Sequence, residues 1–456
     1  MGKFTNSSID ADAATERDLD TYREAAAALG KLRVPLLLPE VDPHARLYVA
    51  ALDGTGNSML NDAPKHWTAV ARMYVQIRDR EYLGITNIRG GYVAGTFTQE
   101  GILRIPERLL DGRFANSFDS RVETAYFDLC DKAQQWLIED PRARINVVGV
   151  GFSRGAEQVA ALQRMVEERG IRDPRGARYQ RDRDGIIRYV EYADLPLLVP
   201  RGRTLQAALL FDPVVTGVQD EERTLPRSNL STFEISAIHE RRDLFKDNDH
   251  VAPGLSEQGR HLNVSVAGSH SDIGGAYETN GLGTLSFNLG VAFLNRLSDR
   301  PFLQARPVPD DPAQFVIHRS EQHMLGLYGT ASYDEDGLRD RLQDQSPRPG
   351  IQRKDAIGVD LDALVTRGTA AALQTRQAGR IEPIGFVRSD ASDEDLLDRA
   401  FDAYEKGDLQ AFSRVMHEFR QSPDGQAWAR EQEEFSATLR AHERRHAVQP
   451  GPVMAR

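Results

Sequence analysis

The chain lacks the residues and patterns that mark several classes of protein. Cys130 is its only cysteine, which excludes an internal disulfide and a multi-cysteine metal site, and we expect Cys130 to be a small buried residue. No window approaches about eighteen uninterrupted apolar residues, so an ordinary membrane-spanning helix is excluded. Residues 1–20 are polar and acidic and lack the apolar core of a Sec signal peptide. We therefore expect synthesis in the cytoplasm without a signal peptide, with export, if any, by a specialised secretion machine.

Positive charge is also in short supply. The chain has 57 Lys and Arg against 68 Asp and Glu, and its net charge is −11. Because it has no surplus of cations to displace counterions from phosphates, we expect no nucleic-acid partner. Its 456 residues, 40% of them hydrophobic, predict either two or three domains or one large α/β domain with appendages. Neither an H-E-x-x-H pattern nor a calcium loop is present, and we predict no metal and no cofactor.

The most informative stretch, residues 145–156, reads I-N-V-V-G-V-G-F-S-R-G-A. Ile145–Val150 is an apolar run typical of a strand buried on both faces, and Ala156–Val166 has helical periodicity. Strand, G-x-S-x-G and helix in this order form the context of a nucleophile elbow. We therefore predict that Ser153 is a nucleophile.

A dinucleotide site is the alternative for the same glycines. Gly149, Gly151 and Gly155 form a loose variant of the Rossmann fingerprint. Such a site needs an acidic residue at the end of a second strand about twenty residues later. That distance falls at Glu167 and Glu168, on the same predicted helix, so the hydrolase interpretation is favoured.

A serine nucleophile needs a base, and the base needs a carboxylate to orient it. In α/β-hydrolases the order along the chain is nucleophile, acid, histidine. Ser153, Asp212 and His270 have this order. Asp212 follows the predicted strand Leu205–Phe211, and His270 follows Leu262–Ala267 in a segment rich in small residues.

Other residues are secondary candidates. His239, at the end of the predicted strand Phe233–Ile238, is a rival base. Asp272 is an alternative acid, although it is so close to His270 in sequence that it could instead hold local backbone. Asp53, Asp212, His270 and Asp272 could also form an oxygen-rich metal site, but their spacing does not require one.

The oxyanion hole is predicted from the backbone. The N–H of Arg154, at the start of the elbow helix, is one expected donor. The other is expected from Gly54, Thr55 or Gly56, in the loop that follows the predicted strand Leu47–Leu52. A plain turn is the alternative interpretation of this loop.

The predicted fold class is α/β, with a mostly parallel central sheet flanked by helices, as in α/β-hydrolases, and a helical C-terminal region. We expect a leader with one helix over residues 1–45, a catalytic domain over 46–333 and helices over 334–456. Within the catalytic domain, 168–204 reads as a solvated insertion. Its apolar run Leu195–Pro200 either packs against the domain or forms a lid.

Further elements are predicted from periodicity and turn residues. The helices are Leu19–Leu32, Pro64–Ile77, Ile102–Leu110, Ser120–Ile138, Gly281–Leu297, Leu361–Ala378, Ser392–Gln421 and Gln426–His446. One further strand is predicted at Gly84–Ile88, and Phe302–His318 is expected to return along the surface.

Five sequence blocks resemble one α/β-hydrolase family. They are L-D-G-T-G-N-S at 52–58, V-G-F-S-R-G-A at 150–156, L-F-D-P-V at 210–214, A-I-H-E-R-R at 237–242 and G-S-H-S-D-I-G-G-A-Y at 268–277. The family is the group of uncharacterised hydrolases that includes the phospholipase effectors of bacterial type VI secretion. The resemblance covers roughly residues 46–330.

The resemblance implies a serine lipase or phospholipase acting on glycerophospholipids. Ser153 matches the nucleophile and His270 the histidine, while Asp212 matches the aspartate of a block more often written W-D-T-V, from which Phe211 and Pro213 depart. It also implies an antibacterial toxin that acts on a phospholipid membrane, with a cognate immunity protein and a secretion-machine adaptor as partners. The alternatives are a carboxylesterase or peptidase on soluble substrates and a catalytically inactive binding or scaffolding module.

Overall fold

The central sheet is built from strands that the chain visits in an order different from their order in space. A computed structural model describes residues 10–59, 62–95, 107–214, 224–242, 245 and 248–321, without the side chains of 107–117. The strands are β1 (Ala11–Ala13), β2 (Ala45–Leu52), β3 (Ile88–Val93), β4 (Arg144–Phe152), β5 (Arg178–Arg181), β6 (Ile187–Glu191), β7 (Gln206–Phe211), β8 (Asn229–Ala237), β9 (Gly254–Leu255), β10 (His261–Val266) and β11 (Val316–His318). The helices are α1 (Glu16–Lys31), α2 (Ala69–Tyr82), α3 (Glu107–Glu139), α4 (Arg154–Arg169), α5 (His270–Gly274) and α6 (Gly281–Asn295).

Seven strands form the main sheet in the order β3-β2-β4-β7-β8-β10-β9. All neighbouring pairs are parallel except β10 and β9. Strands β4 and β7, which precede two of the predicted site residues, are neighbours near the middle of the sheet. The predicted fold class, a mostly parallel sheet flanked by helices, is confirmed.

Alternate residues of the central strands face two apolar layers. Val148 and Val150 of β4 pack in the layer with α1, α2 and α6, whereas Val147 packs in the layer with α3 and α4. A strand covered on both faces has no solvent side, which explains why its sequence is an unbroken apolar run rather than an alternating one. Cys130 is buried in the second layer, as predicted.

Several predicted boundaries are wrong. Pro64 belongs to a short 3₁₀ turn, Pro64–His66, and not to the following helix. Helix α2 begins after Thr68, whose side chain accepts a hydrogen bond from the N–H of Ala71 at 3.1 Å and so caps a separate helix. The two helices predicted at Ile102–Leu110 and Ser120–Ile138 are one helix, α3, from Glu107, since nothing between them ends it.

The strand predicted at Gly84–Ile88 begins where the prediction ends it. Gly84 has φ of +80° just after α2, which places it in a turn, and β3 runs through the next glycines. A Cβ on Gly90 would lie 3.1 Å from Ile77 Cγ2, and one on Gly91 would lie 2.1 Å from the Tyr48 hydroxyl. These glycines therefore serve close packing inside a strand and not a loop.

The charged insertion contains an antiparallel hairpin, β5–β6, that periodicity did not predict. Its strand β5 is exposed along its length, with Tyr179 as its one aromatic residue, so it shows no apolar alternation. In the apolar run after it, Leu198 and Val199 pack against the layer of α3 and α4, and both pair with Ile171 through backbone hydrogen bonds. These contacts favour packing over a lid.

The leader helix α1, helix α6 and the strands β2, β4, β7, β8 and β10 follow the predictions within a few residues, whereas β1, β9 and α5 were not predicted. The returning segment ends in β11, which pairs with β1. Within the described ranges, no helix has the length and apolar character needed to span a membrane. The helices predicted at Leu361–Ala378, Ser392–Gln421 and Gln426–His446 lie outside the described residues. The predicted boundary between the catalytic domain and the C-terminal region, at 333–334, lies outside them as well.

Candidate active site

Ser153 lies on a sharp turn between β4 and α4. Its backbone has φ 58° and ψ −128°, a region that a non-glycine residue occupies only under strain. The turn is tight because two glycines flank it: a Cβ on Gly155 would lie 2.1 Å from the carbonyl oxygen of Leu52, and one on Gly151 would lie 2.6 Å from Ala156 Cα. The sequence G-x-S-x-G therefore lifts Ser153 above the end of the sheet while α4 begins directly beneath it.

Asp212 occupies the equivalent position on the neighbouring strand. Phe152 and Phe211 are register partners at the ends of β4 and β7, and the N–H of Ser153 donates to the Phe211 carbonyl at 2.9 Å. Asp212 also has positive φ, 42°, and among the described non-glycine residues it shares this property only with Ser153. Parallel strands thus deliver both side chains to one edge of the sheet.

His270, the first residue of α5, completes the cluster. Its Nδ1 lies 2.5 Å from Asp212 Oδ2, while Asp212 Oδ1 accepts a hydrogen bond from the N–H of Ala237 at 2.7 Å. Asp212 is completely buried, so its carboxylate is held on both oxygens away from solvent. With Nδ1 facing the carboxylate, Nε2 is the nitrogen left to exchange a proton. No hydrogen bond joins His270 to the Ser153 hydroxyl, both of which belong to the described part of the chain.

Two aromatic rings fix the plane of the His270 imidazole. Phe152, the residue before Ser153, stacks on it at 4.5 Å between ring centroids, and Phe245 meets it edge-on at 5.0 Å. Burial lowers the pKa of His270 below its usual value, although the hydrogen bond and the charge of Asp212 act in the opposite direction. The neutral form of His270, which can accept a proton, is therefore favoured.

The glycine loop after β2 lies against the elbow. A Cβ on Gly54 would approach Phe152 Cδ1 to 2.7 Å and Ser153 Cβ to 3.1 Å, so only glycine fits there. Thr55 Oγ1 accepts a hydrogen bond from Arg154 Nε, and Gly56 has φ of +78°. The backbone of Gly54 and the first residue of α4 are thus brought beside Ser153.

Asp53 supports this loop and is not paired with His270. Its buried carboxylate accepts hydrogen bonds from the Gly54 N–H at 2.8 Å, the Thr68 hydroxyl at 2.9 Å and the Tyr92 hydroxyl at 2.7 Å. Burial raises the pKa of Asp53 to about 6, even though all three donors favour the ionised form. Tyr92 was not predicted as a site residue, and no sequence motif marks it.

The other secondary candidates lie in separate contacts. Asp272 Oδ2 accepts from the Ser269 N–H at 2.9 Å, and its Oδ1 is 2.6 Å from Nδ1 of His318, which stacks on Tyr277. Asp272 thus caps α5 and forms a second aspartate–histidine pair. Of its two predicted roles, the structure favours the one in which Asp272 holds local backbone.

Among the residues that the structure describes, His239 has contacts of its own, none of them with Asp212 or with the His270 side chain. Its Nδ1 accepts a hydrogen bond from the Gly268 N–H at 3.1 Å, and it lines a separate cavity of about 220 Å³ together with Asp18 and Arg241. Burial lowers its pKa, as it does for His270. His239 is therefore not placed to act as the base for Ser153.

The alternative metal site is not assembled. Among the described residues, no group of three or more His, Cys, Asp or Glu side chains could hold a metal ion. Of the four residues considered, Asp212 and His270 pair with each other, Asp53 binds hydroxyls and a backbone N–H, and Asp272 binds His318.

Sequence reasoning missed Glu240. This carboxylate is buried beside the start of α5 and accepts a hydrogen bond from the His270 N–H at 3.1 Å. Glu240 belongs to the A-I-H-E-R-R block, in which His239 is the predicted candidate because it ends a predicted strand. Charged side chains are rarely buried, so an E-R-R run predicts exposure unless the tertiary contacts of Glu240 are known.

Residues 46–190 match the family model described as "T6SS, Phospholipase effector Tle1-like, catalytic domain". No curated protein sequence matches the chain.

Two solved structures to which the chain is similar are compared with it by identity and coverage. An uncharacterized protein from Pseudomonas aeruginosa is 14% identical with a TM-score of 0.34, and the alignment covers 91% of this chain and 64% of that one. An acetylxylan esterase is 12% identical with a TM-score of 0.24, and the alignment covers 57% of this chain and 97% of that one. The family resemblance seen in the sequence is confirmed over residues 46–190, which match the catalytic domain of the Tle1-like phospholipase effectors of type VI secretion.

Proposed function

We propose that the protein is a serine esterase that hydrolyses glycerophospholipids through Ser153, His270 and Asp212. The observation that carries the proposal is the 2.5 Å contact between His270 Nδ1 and Asp212, next to a serine in strained elbow geometry. The match to a phospholipase effector domain supports the lipid substrate. We also propose that residues 46–333 form the catalytic domain.

In the first half-reaction, Ser153 Oγ attacks the ester carbonyl carbon and its proton passes to His270 Nε2. Asp212 stabilises the imidazolium that forms and keeps the ring in the tautomer with Nδ1–H. The N–H of Arg154 and an N–H of the Gly54–Gly56 loop donate to the oxyanion. The C–O bond to the alcohol then breaks, and His270 returns the proton to the leaving oxygen.

In the second half-reaction, water replaces the alcohol. His270 Nε2 takes a proton from the water, the hydroxide adds to the acyl carbon, and the bond to Ser153 Oγ breaks as the proton is returned to it. The products are a fatty acid and a lysophospholipid, and the protein is regenerated without any co-reactant other than water.

The biological setting is part of the same proposal. The effector family supports delivery by a secretion machine into a target cell, with an adaptor for export and an immunity protein that protects the producer. A phospholipase acting on a membrane would be toxic to bacteria that lack such an inhibitor.

The decisive experiment measures fatty-acid release from phospholipid vesicles by lipid mass spectrometry. We expect Ser153→Ala to lose release by roughly four or more orders of magnitude, as removal of a nucleophile does in other serine hydrolases. Ser265→Ala, which changes an exposed serine of β10, is the matched control and should retain release. Equal release by wild type and Ser153→Ala would refute the assignment.

Two further readouts separate the alternatives. A fluorophosphonate probe should label wild type and not Ser153→Ala, whereas failure to label wild type would favour a binding or scaffolding module. Hydrolysis of a micellar ester should be faster than that of its monomeric form, and no gain at the lipid interface would favour a soluble carboxylesterase.

A further inference from the structure

Glu240 is a buried carboxylate with an unusually complete set of donors. Its Oε1 accepts from the N–H groups of Arg241 and Arg242 at 2.9 and 2.7 Å. The Arg242 guanidinium donates to both oxygens at 2.9 Å, and the Ser320 hydroxyl lies 3.0 Å from Oε2. The last donor is the backbone N–H of His270, 3.1 Å from Oε2. A carboxylate that is 1% exposed and so fully bonded holds its neighbours in one arrangement.

The ion pair between Glu240 and Arg242 also contacts an aromatic ring that packs on His270. The Arg242 guanidinium carbon lies 3.5 Å from the centroid of the Phe245 ring, and Phe245 in turn meets His270 edge-on. Phe152 covers the ring from the elbow side. Glu240 therefore contacts the backbone of His270 directly and supports its side chain through two intermediates.

The first residues of α5 are held from two directions. The N–H of Ser269 donates to Asp272, and the next N–H, that of His270, donates to Glu240. Asp272 lies on α5 itself and binds His318 of β11, whereas Glu240 belongs to the segment that follows β8, the neighbour of β7 in the main sheet. Glu240 thus ties the backbone of His270 to the main sheet, while Phe152 and Asp212 contact its ring.

We propose that Glu240 is a positioning residue for the proposed reaction, holding the backbone of His270 in the place where Nδ1 meets Asp212 and Nε2 is left to exchange a proton with Ser153. This inference rests on the proposed function, because its kinetic effects assume that Ser153 and His270 catalyse ester hydrolysis. The step that depends on it is proton transfer from Ser153 Oγ to Nε2, since a displacement of about 1 Å in a reacting group can slow a reaction roughly a hundredfold.

The charges around His270 give a readout that a purely structural role would not change. Asp212, Glu240 and Arg242 are the charged groups that act on it; the two carboxylates raise the pKa of His270 and Arg242 lowers it. Glu240→Gln leaves the Arg242 charge unbalanced, so His270 should lose its proton at lower pH. The acid limb of the kcat/KM profile should then move to lower pH.

The test compares Glu240→Gln with wild type on a soluble chromogenic ester. We expect kcat to fall roughly tenfold or more with KM unchanged, because proton transfer is slowed while the substrate contacts remain. In the double variant Glu240→Gln with Arg242→Gln, the acid limb should return toward wild type while kcat stays low.

Asp173→Asn is the matched control. Asp173 is also buried, and it accepts hydrogen bonds from the backbone N–H and the guanidinium of Arg175, two residues later, as Glu240 does from Arg242. It lies in the charged insertion and has no contact with His270. Asp173→Asn should lower the melting temperature without changing kcat or the acid limb of the folded protein.

A second measurement does not need activity. The Nδ1–H proton shared with Asp212 should give a downfield proton resonance in Ser153→Ala protein, which disappears in His270→Ala. Adding Glu240→Gln should shift or broaden it, and adding Asp173→Asn should not. An unchanged resonance, or wild-type kcat and acid limb in Glu240→Gln, overturns the proposal. Inactive wild-type protein with a perturbed resonance would refute the proposed function alone.

Discussion

Gly54→Ala places one methyl group against the centre of the proposed site. The added Cβ would lie 2.7 Å from Phe152 Cδ1, 3.0 Å from Phe152 Cε1 and 3.1 Å from Ser153 Cβ. Carbon atoms pack best at about 3.5–4.0 Å, so the loop and the ring must separate by about 1 Å. Phe152 stacks on His270, and movement of the ring therefore disturbs the base, while movement of the loop displaces the proposed oxyanion donor.

Either movement should slow catalysis to a similar extent. A displacement of about 1 Å costs roughly a hundredfold in rate, equivalent to about 2.7 kcal/mol of activation free energy. Overpacking should also lower the free energy of unfolding by about 1–3 kcal/mol. The assay is kcat/KM on a soluble ester, measured at a temperature where a melting curve shows the variant fully folded.

Gly90→Ala separates the two effects. Its Cβ would also be tightly packed, 3.1 Å from Ile77 Cγ2 and 3.3 Å from Tyr74 Cδ2, but in β3, away from Ser153. We expect a loss of about 1 kcal/mol in unfolding free energy with kcat/KM unchanged. If Gly54→Ala keeps kcat/KM within about threefold of wild type while folded, the proposed arrangement of loop, ring and base is wrong.

Three other predictions concern the aspartate–histidine pairs. Because burial lowers the pKa of His270 below its usual value of 6.5, its neutral form persists to lower pH, and the acid limb of the kcat/KM profile should have its midpoint below 6.5; a midpoint above 6.5 would contradict this. Asp212→Asn should lower kcat by roughly 10⁴, as loss of the correct histidine tautomer does in serine proteases. Asp272→Asn should cost about 3 kcal/mol of unfolding free energy by breaking its buried pair with His318, yet leave kcat of the folded protein within about tenfold of wild type. Equal kcat losses in the two variants, measured on folded protein, would show that the pairs have been assigned the wrong roles.

Local patterns predicted the parts of the molecule that local physics controls. Buried strands such as β4 and β7 were recognised because a strand covered on both faces must be apolar throughout. The edge strand β3 was misplaced because its glycines are required by contacts with Tyr48 and Ile77, which lie far away in the chain. Hairpin β5–β6 was not predicted because it lies in a charged segment and its exposed strand β5 carries no apolar alternation.

The candidate site shows the same division. The sequence by itself determined the elbow, since flanking glycines and a strand–helix junction are local properties, and it nominated Asp212 and His270 by order and strand ends. Only the tertiary structure decided which aspartate meets which histidine, because Asp212–His270 and Asp272–His318 are contacts across the fold. The same holds for Glu240, which is separated from His270 by thirty residues and reaches its backbone only because β8 and β10 are neighbours in the sheet. Burial and pairing depend on which strands become neighbours, and this is fixed by the packing of the whole sheet.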